Sequence, residues 1–259
     1  MLPKKISNDY VEFFEVDTEK SISFKTVLTD AAVLINIAGM GWDAPIKAAQ
    51  DLKIPLKLYI GPNYGGELDK IDFVKIVPDL DGKFQHNQYW RTQGFKVIDL
   101  MTSIFVIEGG FNTDDLVMFN HDKDQNTVER FGDKDTLFDI SYIQDVAWVV
   151  GSIIRKGAEI DFNTLPNRIL VSSDKISQED VFKRYENSHG IQLKRITTSK
   201  EQSMNEAIER AKAGFSWFDI WYYVHVFIGQ GKNGGLYFEH TDNEYINPKE
   251  VYFKWTKYH

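Results

Sequence analysis

Between residues 32 and 171, short apolar runs recur at helix-sized intervals, and this alternation constrains the fold more than any other feature of the chain. Ala32-Val33-Leu34-Ile35-Asn36-Ile37 is almost continuously apolar, the pattern of a strand covered on both faces. Leu56 to Ile60, Lys96 to Met101 and Arg168 to Val171 read the same way. Between them, Trp42 to Leu52 and Lys83 to Gln93 carry helical spacing, and Gly94 stands where a helix stops. Strands joined through helices require right-handed crossovers and hence a parallel sheet, so the chain is expected to be an α/β protein.

The pattern extends on both sides. Val11 to Val16 reads as a further strand and Ser21 to Leu28 as a helix. Ser141-Tyr142-Ile143-Gln144 has the spacing of a capping box, followed by the apolar stripe Val146, Val149, Val150, Ile153 and Ile154. Ser177-Gln178-Glu179-Asp180 opens another helix, with Val181, Phe182 and Tyr185 as its buried side, and Glu201 to Lys212 is helical. The aromatic run from Phe215 to Phe227 reads either as a helix buried in the core or as the wall of a pocket for a flat ligand. No repeat or linker divides the chain, which is read as one unit.

Composition narrows the function. The net charge of -8 argues against nucleic acid as a partner, because a phosphate-binding surface needs an excess of Lys and Arg. The densest basic stretch, Lys183 to Arg195, is interrupted by Glu186 and reads as a solvated helix face. With no cysteine, a disulfide scaffold, a thiolate metal site and a cysteine nucleophile are all ruled out. The six histidines lack metal-ligand spacing, so no metal is expected. No apolar segment of membrane length is present, and a cytoplasmic protein is expected.

Several blocks, in order, resemble the NmrA-like and isoflavone-reductase-like family of atypical short-chain dehydrogenases, especially its fungal members. They are Val11 to Gly39, Leu58-Tyr59-Ile60-Gly61-Pro62-Asn63-Tyr64-Gly65, Asp81-Gly82-Lys83 with the helix and strand after it, Phe138 to Val146, and Gly235 to Trp255. The resemblance covers nearly the whole chain. It implies a Rossmann-like parallel sheet, incomplete at its N-terminal side, over residues 1–160, interleaved with a smaller substrate-pocket part over residues 161–259. It also implies NADP or NAD as cofactor and reduction of a small carbonyl or aromatic compound.

In such a protein Lys83 takes the place of the general acid/base. Ile37, Ala38 and Gly39 lie beside the adenosine half of the cofactor, and Tyr59, Gly61, Pro62 and Asn63 beside the nicotinamide. The family opens with a strand, a glycine-rich turn and a helix whose N–H groups receive the pyrophosphate. No glycine precedes Gly39 here, so that unit is read as absent and the chain as an N-terminally truncated form. Gly229-Gln230-Gly231-Lys232-Asn233-Gly234 matches the dinucleotide pattern but follows a helical stretch, and is read as a loop. Without the first two strands of the fold, Val33 to Ile37 is left with an open edge unless Val11 to Val16 pairs with it. Besides the reductase, two readings stay open: a non-catalytic NAD(P)-sensing regulator that binds a protein partner, and a non-functional fragment.

Overall fold

The computed structural model describes residues 11–37, 43–52, 56–77, 80, 82–107 and 116–259. Four strands, β1 (Val33–Ile35), β2 (Leu58–Ile60), β3 (Val97–Met101) and β7 (Arg168–Leu170), form a parallel sheet in the order β1-β2-β3-β7. Between β3 and β7 the chain leaves this sheet. It builds β4 (Ile104–Val106), β5 (Thr127–Phe131) and β6 (Leu137–Tyr142) before it returns. A three-stranded sheet orders β4-β6-β8, with β8 spanning Asp174–Ser177, and β5 pairs in parallel with β9 (Lys194–Thr198).

The helices follow from the spacing of their apolar residues. They are α1 (Ser21–Leu28), α2 (Asp43–Leu52), α3 (Gly82–Thr92), α4 (Ile143–Ile160), α5 (Gln178–His189), α6 (Lys200–Ala213), α7 (Ile220–Gly229) and the single turn α8 (Asn243–Ile246). Alternation along the buried strand β2 sends Leu58 and Ile60 to one face of the sheet, against Val149 and Ile153 of α4. Tyr59 points to the other face, where it meets Ile46 of α2 and Trp90 of α3. A second core collects β4, β6, β8 and helices α5 to α7 around Phe119, Phe138, Phe182 and Phe227. Gly94, at φ +88°, ends α3 in a backbone conformation that favours glycine.

Four expectations are corrected. Val11 to Val16 forms no strand; apart from Val16 it lies exposed, because a β-prone segment with no neighbour has no ladder to join. The apolar run from Ala32 to Ile37 pairs only over Val33–Ile35 and is the edge of its sheet, with Ile37 82% exposed. Ser141 caps nothing: β6 continues through it, and Tyr142 is the N-cap of α4 without a side-chain bond. Lys183 to Arg195 is not one helix face, since α5 stops at His189 and Arg195 lies in β9, clamped by Glu179 at 2.9 Å and by Glu186. Leu236 to Phe238 forms no strand, yet its backbone meets β6. Asp139 N–H donates to Leu236 O at 2.8 Å, and Phe238 N–H donates to the Asp139 carboxylate at 2.6 Å.

Candidate active site

The C-terminal ends of β1, β2 and β3 meet the N-terminus of α3, the place where open α/β sheets gather ligand-binding loops. The loop after β2 is held from both sides. Gly65 O accepts the N–H groups of Thr102 and Ser103, each at 3.1 Å, Tyr64 O accepts Thr102 Oγ1 at 2.9 Å, and Glu67 N–H reaches Gly235 O at 2.7 Å. Ser103, in the left-handed region at φ 57°, also donates its hydroxyl to Leu236 O at 2.9 Å.

The residues named from the sequence separate into two groups. Asn63 and Lys83 come together on one cavity of about 140 Å³, walled by Phe84, Met101, Trp217 and Ile220. Lys83, in the first turn of α3, is exposed, yet the protein packed around it strips part of its hydration and lowers its ammonium pKa below the ordinary lysine value. Asp69, on the same cavity, is engaged by Arg168 at 2.7 Å. Tyr59, Gly61 and Pro62 are instead buried in the scaffold behind the loop. Ile37 lies away from the Lys83 cavity, on a mostly apolar slot of about 240 Å³ that Tyr59 also lines. Ala38 and Gly39 lie outside the described residues.

Behind the loop runs a polar network that reasoning from the sequence did not find. Asn36 Nδ2 donates to the Tyr59 hydroxyl at 3.0 Å, which leaves the phenol proton for His86 Nε2 at 2.8 Å. Burial raises the Tyr59 pKa and lowers that of His86, which the Asp43 carboxylate partly counteracts. Tyr59 also stacks on Trp90, ring centroids 3.8 Å apart. His86 therefore faces inward, and the only basic side chain between Phe84 and Asn87 is turned away from Lys83. The residues come from three elements distant in sequence, so no local spacing signals them. Trp217 was within reach, since it belongs to the aromatic run from Phe215 to Phe227. That run divides between both readings: Tyr223 and Phe227 are core, Trp217 borders the Lys83 cavity, and Phe218 is 99% exposed.

A cleft of about 630 Å³ lies back to back with the Lys83 cavity across Glu67 to Ile71, and its other wall includes Met204 and Lys232. Its charges compensate one another: Lys70 pairs with Glu67 at 2.7 Å and Lys232 with Glu239 at 3.5 Å. The Gly229 to Gly234 string turns through a short 3-10 helix after α7, as a loop should. Among the described residues no group of His, Asp and Glu is arranged to hold a metal.

A four-stranded parallel sheet whose strands are joined through helices, and a second unit built from β4, β6 and β8, make up a Rossmann-like fold. It is the fold of the NmrA-like and isoflavone-reductase-like proteins. A solved isoflavone reductase matches 90% of this chain and 76% of its own at 18% identity and a TM-score of 0.64. The binary complex of leucoanthocyanidin reductase with NADPH from Vitis vinifera matches at 12% identity, TM-score 0.64, over the same shares of both chains. The Citrobacter sp. triphenylmethane reductase complexed with NADP(H) matches at 12% identity and a TM-score of 0.56, over 92% of this chain and 79% of its own. No protein-family model and no curated protein matches the chain.

The described residues suit one half of a dinucleotide better than the other. Asn63 and Lys83 share a cavity of about 140 Å³ at the strand ends, room for a single small ring. No glycine-rich strand-to-helix turn stands among them to receive a pyrophosphate.

Proposed function

We propose that this chain is an NAD(P)H-dependent reductase of a small carbonyl or aromatic compound, a single unit acting in the cytoplasm, with Lys83 as the general acid. The observation that supports this most directly is the lysine itself: a partly desolvated ammonium at the wall of a cavity that also presents Asn63 and the rings of Phe84 and Trp217. When bound, a reduced nicotinamide supplies a hydride. The protein's part is to bind and orient the acceptor and to place a proton at Lys83 Nζ, ready for the oxygen on which negative charge develops. A lowered ammonium pKa makes Lys83 a better acid toward that oxygen. The aromatic walls bind a flat acceptor by area and exclude water from one side.

A second reading, a non-catalytic NAD(P)-sensing protein with a protein partner, draws support from the inward turn of His86, which leaves Lys83 without a basic neighbour on α3. Titration of the purified protein with NADPH and with NADH, followed by nicotinamide fluorescence and thermal shift together, separates the readings. A reductase binds tighter than about millimolar, roughly 4 kcal/mol, and turns over in a manner that depends on Lys83. Binding without turnover of any carbonyl or aromatic acceptor leaves the sensor. A well-folded protein that binds neither nucleotide sinks both.

A further inference from the structure

The edge of β1 is prepared for a strand that the described chain does not place there. Ala32 O accepts Lys57 N–H at 2.7 Å and Asn36 N–H donates to Ile60 O at 2.9 Å, so alternate residues of β1 face β2. Val33 and Ile35, in between, direct their backbone groups to the open side. Along β1 lies a mostly apolar slot of about 240 Å³, which Phe24, Leu34, Ile35, Ile37 and Pro45 line together with Tyr59 of β2. A ladder of backbone groups next to a slot for side chains is the arrangement by which an added strand is recognised.

The same chain carries a matching strand. Val11-Glu12-Phe13-Phe14-Glu15-Val16 is six residues long, as is the run from Ala32 to Ile37, and it is rich in β-forming residues. It pairs with nothing among the described residues, and its Phe13 and Phe14 are 65% and 49% exposed. Its far end is anchored: Val16 packs into the α1 and α2 cluster that also takes Leu34 of β1, and the Asp17 backbone accepts the Ser23 hydroxyl at the start of α1. Seven large apolar side chains stand exposed between Val11 and Ile37: Val11, Phe13, Phe14, Ile22, Val27, Ile35 and Ile37.

We infer that the open edge of β1 takes up the Val11–Val16 segment of a second copy of this chain, and that the exchange is reciprocal. A two-fold arrangement satisfies both copies at once, because each offers one free strand and one free edge, and it closes at two copies. Among the described residues the segment does not pair with its own edge.

The absence of cysteine permits a direct test. Phe14→Cys and Ile35→Cys are made as separate proteins, mixed, and oxidised mildly; sedimentation and light scattering report the state of the unmodified chain. The expected result is a dimer of the unmodified chain, a disulfide-linked dimer in the mixture, and none in either variant alone. Ile35→Lys, and separately Phe13→Asp with Phe14→Asp, should weaken dimerisation more than about tenfold with unchanged circular dichroism, a charge on an edge being a barrier to pairing. Because Phe13 and Phe14 are exposed, the latter change keeps the test open should the β1 variants fold poorly. Three results overturn the inference: a monomer at every concentration, cross-linking of Ile35→Cys alone, or an intramolecular disulfide in a monomer carrying both cysteines.

Discussion

Gly61 and Asn87 approach so closely that a Cβ on the glycine would stand 1.8 Å from Asn87 Oδ1. The asparagine cannot step aside at low cost. It is fully buried, and its Nδ2 donates at 2.6 Å to Asp99, whose carboxylate also holds Arg91 at 2.7 Å. This contact sets α3, and with it Lys83, against the end of β2. Gly61→Ala should therefore destabilise the protein by about 2–3 kcal/mol, as overpacking with loss of a buried charge-assisted bond does. Chemical denaturation measures it; a change below 0.5 kcal/mol, the size of an ordinary surface substitution, would mean the helix shifts freely.

His225 should govern acid sensitivity. Gln178 exchanges both amide bonds with the Phe131 backbone, at 3.2 and 2.6 Å, which fixes its Oε1 as the acceptor for His225 Nε2 at 2.8 Å. The ring is thus neutral with its proton on Nε2, and burial pulls its pKa down from 6.5 to about 3. Below pH 6.5 the unfolded chain takes up a proton that the folded chain refuses until about pH 3. Stability from this group is complete above 6.5 and falls as the pH drops between those values, by about 2 kcal/mol at pH 5. In His225→Gln that portion of the pH dependence should disappear, as melts at pH 7 and pH 5 will reveal.

Much of this was readable because it is local. The buried run Leu58–Ile60 sits between two helical layers, and its apolar continuity says so; Gly94 and the stripe Val146, Val149, Ile153 are likewise decided within a few residues. What was not readable depends on partners far along the chain. Val11 to Val16 has the composition of a strand, but a strand is a pairing, and no residue in its own sequence supplies the neighbour. The division of the site was not readable either: Tyr59 and Gly61 share a sequence block with Asn63, yet pleat and packing bury the first two while Asn63 reaches the Lys83 cavity.

Two serines with equal local credentials test this distinction. Ser177 Oγ accepts from Asp180 N–H at 3.2 Å while the Asp180 carboxylate accepts Ser177 N–H at 2.8 Å, a complete capping box at the start of α5. Ser141 matches the same pattern in sequence, but β4 and β8 hold the stretch through Tyr142 in a sheet, and its hydroxyl meets only Val171 O at 3.4 Å. Ser177→Ala should cost about 1 kcal/mol, and Ser141→Ala less than half of that. Equal losses in thermal melts would show that the hydroxyl at 141 has a role the hydrogen bonds do not express.

Lys83 carries the proposal about chemistry, and its expected signature is the position of a pH limb as much as the size of a rate. A general acid works only while protonated, so turnover should fall as the pH rises through the Lys83 pKa, and desolvation places that fall below the ordinary lysine range. Lys83→Ala should lower kcat by about 10²–10⁴-fold, the usual contribution of a positioned acid. Lys83→Arg keeps the positive charge but does not release a proton below pH 12. If the lysine only supplied charge, Arg would restore the rate and carry the alkaline fall above the lysine range, because the guanidinium keeps its charge there. If it supplies the proton, Arg leaves the rate low and removes the fall, because no group of the right pKa remains at the cavity wall. Profiles of kcat and kcat/KM against pH for the three proteins decide between these outcomes, and an alkaline limb that survives unchanged in Lys83→Ala would assign the proton to another donor.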